Sequence, residues 1–289
     1  IYCYGWKKLP LQKNIPAKGT LDFRQSEAGR AFSYTDFFPQ QQPLLTNITG
    51  KTGLKWKHIE NDFLDYNKQY LIPHQLSTRG PKIAVGDVNK DGLDDFYVCG
   101  ASLQPGQLMI QNANGTFKAA DTAVFNKAMM SEEVDALFFD ANNDSWPDLY
   151  VVSGGNQFNN DNPLLLDNLY LNDGKGHFTK AQSNLPSIAR NKSTVSAADF
   201  DRDGDLDLFM GGLSDARQYG IPQTSFLLQN DGAGKFSAAA GSVINLYSFG
   251  MLTASAFTDI KNDTFPGMIA AEEWMSVKVF MNQNSKFKK

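Results

Sequence analysis

The stretch D199-F-D-R-D-G-D-L-D-L-F-M210 decides the reading of this chain. Carboxylates stand at positions one, three, five and nine, Gly204 stands at six, and an apolar run follows at once. Side-chain oxygens at those four positions, with a backbone carbonyl at seven, converge on one point, and glycine at six permits the sharp turn through positive φ. Three or four carboxylates held that close repel one another strongly. A hard cation that takes six to eight oxygen ligands removes the conflict, and calcium is that cation.

The stretch is one of a series. G86-D-V-N-K-D-G-L-D-D-F-Y-V-C-G100, F139-D-A-N-N-D-S-W-P-D-L-Y-V-V-S153 and D259-I-K-N-D-T-F-P-G-M-I-A-A271 align with it, and the leading aspartates at 87, 140, 199 and 259 are spaced by 53, 59 and 60 residues. Position twelve of the first three loops is Val98, Val151 or Met210, and a strand pattern follows. An EF-hand would need Glu there and an exiting helix, so that reading fails. Each loop is followed by a second motif: L108-M-I-Q-N-A-N-G-T-F117, L169-Y-L-N-D-G-K-G-H-F178, F226-L-L-Q-N-D-G-A-G-K-F236 and V277-K-V-F-M-N-Q-N-S-K-F287. A short apolar strand, an Asn/Gly turn and a strand opening on Phe make a hairpin. With an apolar strand before each loop and another after it, every repeat predicts four strands. Units of this length and content predict an all-β β-propeller with four-stranded blades. The blades are expected over about 80–125, 131–185, 192–242 and 250–289, within a propeller region of 37–289. The stretch 43–54 is read as a strand able to close the ring. Two alternatives stand: four blades close alone, or the ring is incomplete and further blades belong to it.

Composition agrees. In 289 residues, 21 Phe, 10 Tyr, 24 Gly and 12 Pro favour short strands and tight turns. The net charge of −4 hides a concentration: the windows 87–95, 140–148 and 199–207 carry −3, −3 and −4, leaving the remainder at +6. Acidity packed into three loops is wrong for nucleic acid and points to cations instead. No apolar run is long enough to span a bilayer. The chain opens on Ile1 rather than Met, so it reads as cut from a longer precursor, and the lack of a signal peptide at its start says nothing of the compartment. Cys3 and Cys99 lack metal-site spacing and read as small hydrophobes, a disulfide being the alternative.

The calcium loop running into a strand, followed by the N-D-G-x-G-x-F hairpin, resembles the FG-GAP/VCBS repeat of integrin α-subunit propellers. It is closest in style to bacterial proteins related to cartilage acidic protein, which pair such repeats with an ASPIC/UnbV segment. Residues 1–36 resemble the tail of such a segment and its linker. The resemblance implies three calcium sites. Their ligands would be Asp87, Asn89, Asp91, the Leu93 carbonyl and Asp95; Asp140, Asn142, Asp144, the Trp146 carbonyl and Asp148; and Asp199, Asp201, Asp203, the Asp205 carbonyl and Asp207. Ser145 replaces the turn glycine in the second loop. The loop at Asp259 is degenerate, with Lys261 at position three and Gly267 at nine, and is expected to hold no metal.

Nothing here demands an enzyme. No G-x-S-x-G, P-loop, dinucleotide fingerprint or Cys/His zinc pattern occurs. His58, His74 and His177 are scattered and read as surface or structural, and Glu132–Glu133 and Glu272–Glu273 read as exposed pairs. Trp274 beside the second pair reads as a packing residue. The polar insertions 157–163 and 214–223 are the places for a ligand. The expectation is a non-catalytic, extracellular or bacterial cell-surface module that binds a protein or glycan. The alternative is a carbohydrate-active enzyme or lectin on the same scaffold.

Overall fold

The computed structural model describes residues 44–239 and 249–288. The chain divides into units 1–48 and 49–289, and every blade belongs to the second. The segment 1–36 and Cys3 lie outside the described residues.

Four antiparallel four-stranded sheets succeed one another along the chain. The first is β1 (Ile83–Gly86), β2 (Asp95–Val98), β3 (Gln107–Gln111) and β4 (Phe117–Ala120). The second is β5 (Glu132–Phe139), β6 (Asp148–Gly154), β7 (Asn168–Asn172) and β8 (Phe178–Lys180). The third is β9 (Lys192–Ala198), β10 (Asp207–Gly212), β13 (Phe226–Asn230) and β14 (Phe236–Ala238), with a small hairpin of β11 (Ser214–Asp215) and β12 (Gln218–Pro222) inserted. The fourth is β15 (Leu252–Thr258), β16 (Gly267–Glu272), β17 (Lys278–Asn282) and β18 (Phe287–Lys288). The α-helices among the described residues, Thr49–Thr52 and Thr122–Phe125, are single turns.

Each strand alternates its side chains between two faces, so the core lies between blades. Leu149 and Val151 of β6 join Ala84, Tyr97 and Leu108 of the first sheet, while Tyr150 and Val152 join Val195, Leu208 and Met210 of the third. Phe209, Leu252, Met268 and Phe280 fill the joint between the third and fourth. Strands β6 and β10 are buried throughout. The outer faces of the end blades are not covered: Ile83 and Val85 are 57% and 61% exposed, and β15 alternates half-buried and exposed after Leu252. Among the described residues the ring is not closed.

The stretch 43–54, read as a ring-closing strand, forms no strand among its described residues. Thr49–Thr52 coils into one turn, and Gly53 leaves it at a φ of +74°, a conformation that breaks strand geometry at little cost only for glycine. Beyond it runs a segment that carries no repeat signature. Residues 57–79 cross the ends of all four blades as a strap. Gln104 of the first blade bonds the Ile59 N–H and the Lys57 carbonyl, each at 2.7 Å. Lys68 donates to the carbonyls of Asn156 and Gln157 in the second. Gln69 bonds Ala216 and the Tyr219 N–H in the third. His74 and Arg79 both reach Glu273 in the fourth, at 3.2 and 2.9 Å. Buried Asp65 knots the strap, accepting from the Leu76 and Ser77 N–H groups, the Ser77 hydroxyl and the Asn156 amide.

The glutamate pairs, expected on the surface, turn inward: Glu132, Glu133 and the side chain of Glu272 are buried, and the side chain of Glu273 is largely so. They are drawn inward because the loops closing each blade need acceptors. Glu133 accepts from the Tyr97 hydroxyl and the Gly100 N–H, and Glu132 from the Ser102 N–H and the Gln157 amide. Glu272 pairs with Lys278. Burial pushes Glu132 and Glu133 each up to about 7, against the partial relief of those hydrogen bonds. A raised folded pKa means the native state holds protons that the unfolded state has released. Stability contributed by these groups is therefore fully present below about pH 4.5 and is lost as pH rises through about 7. We expect the melting temperature to drop between pH 5 and pH 8, and Glu133→Gln to make that slope shallower while keeping the fold, the remainder coming from Glu132 and the other buried carboxyls. A slope unchanged in Glu133→Gln would exclude this origin.

Candidate metal centre

The loops between the first and second strands of each blade share one backbone. The leading carboxylate accepts from the N–H at position six: Asp87 from Gly92 at 2.9 Å, Asp140 from Ser145 at 2.7 Å, Asp199 from Gly204 at 3.1 Å and Asp259 from Thr264 at 2.8 Å. Position six is left-handed in all four, with φ of +84° at Gly92, +69° at Ser145, +100° at Gly204 and +69° at Thr264. Position four is left-handed too, at Lys90, Asn143, Arg202 and Asn262, which sequence reasoning missed because no glycine marks it.

Position nine anchors the loop to the sheet. Asp95 accepts from the N–H groups of Val88 and Gln111, Asp148 from Ala141 and Asn172, and Asp207 from Phe200 and Asn230. These three carboxyls are buried, and burial pushes Asp148 and Asp207 up to about 7 and raises Asp95. Gly267 holds this position in the fourth loop and offers no such anchor.

Each of the first three loops is also gripped by the next blade. Asn172 donates its amide to the Val88 carbonyl, Asn230 to Ala141 and Asn282 to Phe200, at 2.8, 2.8 and 2.7 Å. Adjacent loops touch through cations over rings, Lys90 on Trp146 at 4.2 Å and Arg202 on Phe265 at 4.6 Å. Loop and hairpin thus form one edge of the blades; by the antiparallel topology the strap lies at the other.

The third loop gathers its carboxylates most tightly. One oxygen from each of Asp199, Asp201 and Asp207 lies within 4.8 Å of the others, the one such acidic group among the described residues. Asp203, read as a fourth side-chain ligand, stands beside this trio and accepts from the Asp205 N–H. Asp205, expected to offer only its carbonyl, also turns its side chain inward. It is 8% exposed, and burial together with Asp203, Asp201 and Asp199 raises it to about 6. Oδ1 of Asp201 and Oδ1 of Asp205 are buried with no hydrogen-bond partner. Buried oxygens without donors are costly, and an all-oxygen donor set fits a hard divalent ion. The first and second loops carry Asn89 and Asn142 at position three, and Asn142 spends its amide on Asp144. In the fourth, the Lys261 ammonium stands 3.9 Å from Asp263, supplying a positive charge from the chain itself.

The family model of the FG-GAP-like repeat matches residues 87–151 and 140–210. The chain carries FG-GAP-like repeats. No curated protein matches it in sequence. Among solved structures, the Dos1 propeller is similar at 8% identity over 66% of this chain and 41% of that one, with a TM-score of 0.38. The V. cholerae biofilm matrix protein Bap1 is similar at 12% identity over 74% of this chain and 39% of that one, with a TM-score of 0.34. The chain thus spans about two fifths of each. In this FG-GAP-like chain no described helix is long and apolar enough to cross a membrane.

Proposed function

We propose that this chain is a non-catalytic, extracellular binding module of FG-GAP-like blades, locked at their joints by calcium and presenting its strap-side loops to a protein or glycan. The observation that carries the reading is the third loop, where Asp199, Asp201 and Asp207 converge beside the buried, donorless oxygens of Asp201 and Asp205. Calcium there would be held by Asp199, Asp201, Asp203, Asp207 and the carbonyl of Asp205, and would supply the charge that those oxygens lack. The first and second loops would load by the same positions, Asp87, Asn89, Asp91, Asp95 and the Leu93 carbonyl, and Asp140, Asn142, Asp144, Asp148 and the Trp146 carbonyl. Extracellular modules bind calcium at about 10⁻⁴–10⁻³ M, which external calcium meets and resting cytosol does not. Loops of that affinity would fill only outside the cell, which is where the reading places the chain.

The hydrogen bonding of the Glu132–Glu133 pair supports a structural rather than a catalytic role for it. Glu132 and Glu133 are buried and spend their oxygens on Tyr97, Gly100, Ser102 and Gln157.

Melting with and without a calcium chelator tests the reading. One site filled at a hundred times its dissociation constant adds about 2.7 kcal/mol, and about 1 kcal/mol moves the midpoint of a domain this size by 2–4 °C. Chelation is expected to lower the midpoint by about 5–10 °C per loaded site. Elemental analysis should return up to three calcium ions per chain, and a midpoint indifferent to chelator would refute structural calcium.

A further inference from the structure

Trp274 stands in the turn between β16 and β17, at the strap end of the fourth blade, 70% exposed and with a φ of +67°. A bulky side chain in the left-handed region is a strained choice where glycine would serve the turn, and so exposed a ring buries too little to offset it.

The ring is nevertheless fixed from behind. Tyr219 packs edge-on against it, centroids 4.9 Å apart and planes at 88°. Gly220 lets the indole rest on β12, since a Cβ there would lie 3.3 Å from the ring. Tyr219 is itself held at both ends: its N–H donates to Gln69 at 2.6 Å and its hydroxyl to Glu273 at 2.5 Å. The other oxygen of Glu273 takes Arg79 and His74. Glu273, Tyr219 and Arg79 are only partly exposed, so the polar cluster is ordered rather than splayed into solvent.

A rigid aromatic face open to water, bordered within one residue by carboxylate, phenol, guanidinium and imidazole, offers what a sugar ring needs. The C–H face of a pyranose stacks on the indole, and its hydroxyls find both donors and acceptors alongside. A protein interface instead favours a broad apolar centre with polar groups at the rim. We propose that Trp274, set by Tyr219 and Gly220 and flanked by the Glu273–Arg79–His74 cluster, is the stacking platform of a pyranose-binding site. This deepens the binding-module reading and rests on it for the class of function, though not on calcium.

Affinity electrophoresis in gels containing soluble β-glucan, xylan, mannan or galactan tests it, run with millimolar calcium and with chelator. At least one polysaccharide should retard the parent chain. Trp274→Ala should weaken that binding about tenfold or more, Trp274→Phe should keep part of it, and Tyr219→Phe should fall between. Being exposed, Trp274→Ala should melt with the parent, which separates lost binding from lost fold. Retardation in no gel overturns the proposal, as does retardation indifferent to Trp274→Ala. Exposed Met275 and Val277 lie alongside, and a Trp274-dependent affinity for peptides with none for polysaccharide overturns it too. A chain that loads calcium yet is retarded nowhere loses this site and keeps the metal reading. A chain without calcium that is still retarded through Trp274 does the reverse.

Discussion

Asp207→Ala should destabilise the protein by about 2–4 kcal/mol even in chelator, because it orphans two buried N–H groups, each worth about 1–3 kcal/mol. Those groups belong to Phe200 and Asn230, the first inside the loop and the second on the neighbouring strand. The figure sits at the lower end because burial has already pushed Asp207 to about 7, and deleting a desolvated charge offsets part of the loss. Asp203→Ala gives the contrast. Asp203 is exposed and the backbone group it holds is the Asp205 N–H, at 3.2 Å, so its loss should leave stability in chelator within about 0.5 kcal/mol. The two variants should differ little in how far calcium stabilises them, since both lose a ligand. Urea unfolding of both, with calcium and with chelator, reads these four numbers. If Asp207→Ala matched Asp203→Ala in chelator, position nine would be a ligand alone and the anchoring argument would fall.

Lys192→Met is expected to cost about 3–5 kcal/mol, the usual penalty for breaking a buried ion pair from one side. Its ammonium is 0% exposed, 3.2 Å from Asp167, and donates to the carbonyls of Leu165, Ile188 and Arg190. Burial lowers the Lys192 pKa, while Asp167 works to raise it again. Asp167 also takes the Tyr150 hydroxyl and the Ser153 N–H, each at 2.8 Å, so a lone carboxylate would be left in the joint between the second and third blades. The double variant Lys192→Met/Asp167→Asn should recover part of the loss, because it removes the stranded charge. A double variant as unstable as the sum of its singles would show that the pair is not coupled.

The parts of this fold that could be read in advance are those written locally. Aspartate at fixed offsets, glycine at position six and Phe at the head of the hairpin strand each act on residues within a dozen positions, so repeat spacing exposed the blades. The missed parts depend on distant neighbours. Nothing about Glu132 or Glu133 marks them as buried until the Ser102 and Gly100 N–H groups of the previous blade come to meet them. Trp274 reads as core beside two surface acids; the structure turns the acids in and the ring out. The left-handed fourth position carries Lys90 and Arg202 as readily as Asn143 and Asn262, so no single residue type announces it. The strap has no period at all, being fixed by isolated polar side chains such as Gln69 and Lys68.

That strap also imposes an order on assembly. Its histidine and arginine leave the ribosome 199 and 194 residues ahead of the glutamate they hold, and bringing such remote points together is entropically slow. Neighbouring blades can zip in sequence as they emerge, but the lid over their ends has to wait for the last one. A nascent chain stalled before the fourth blade would leave that segment without its final anchor, easily cut by protease, while the blades beneath it were already formed.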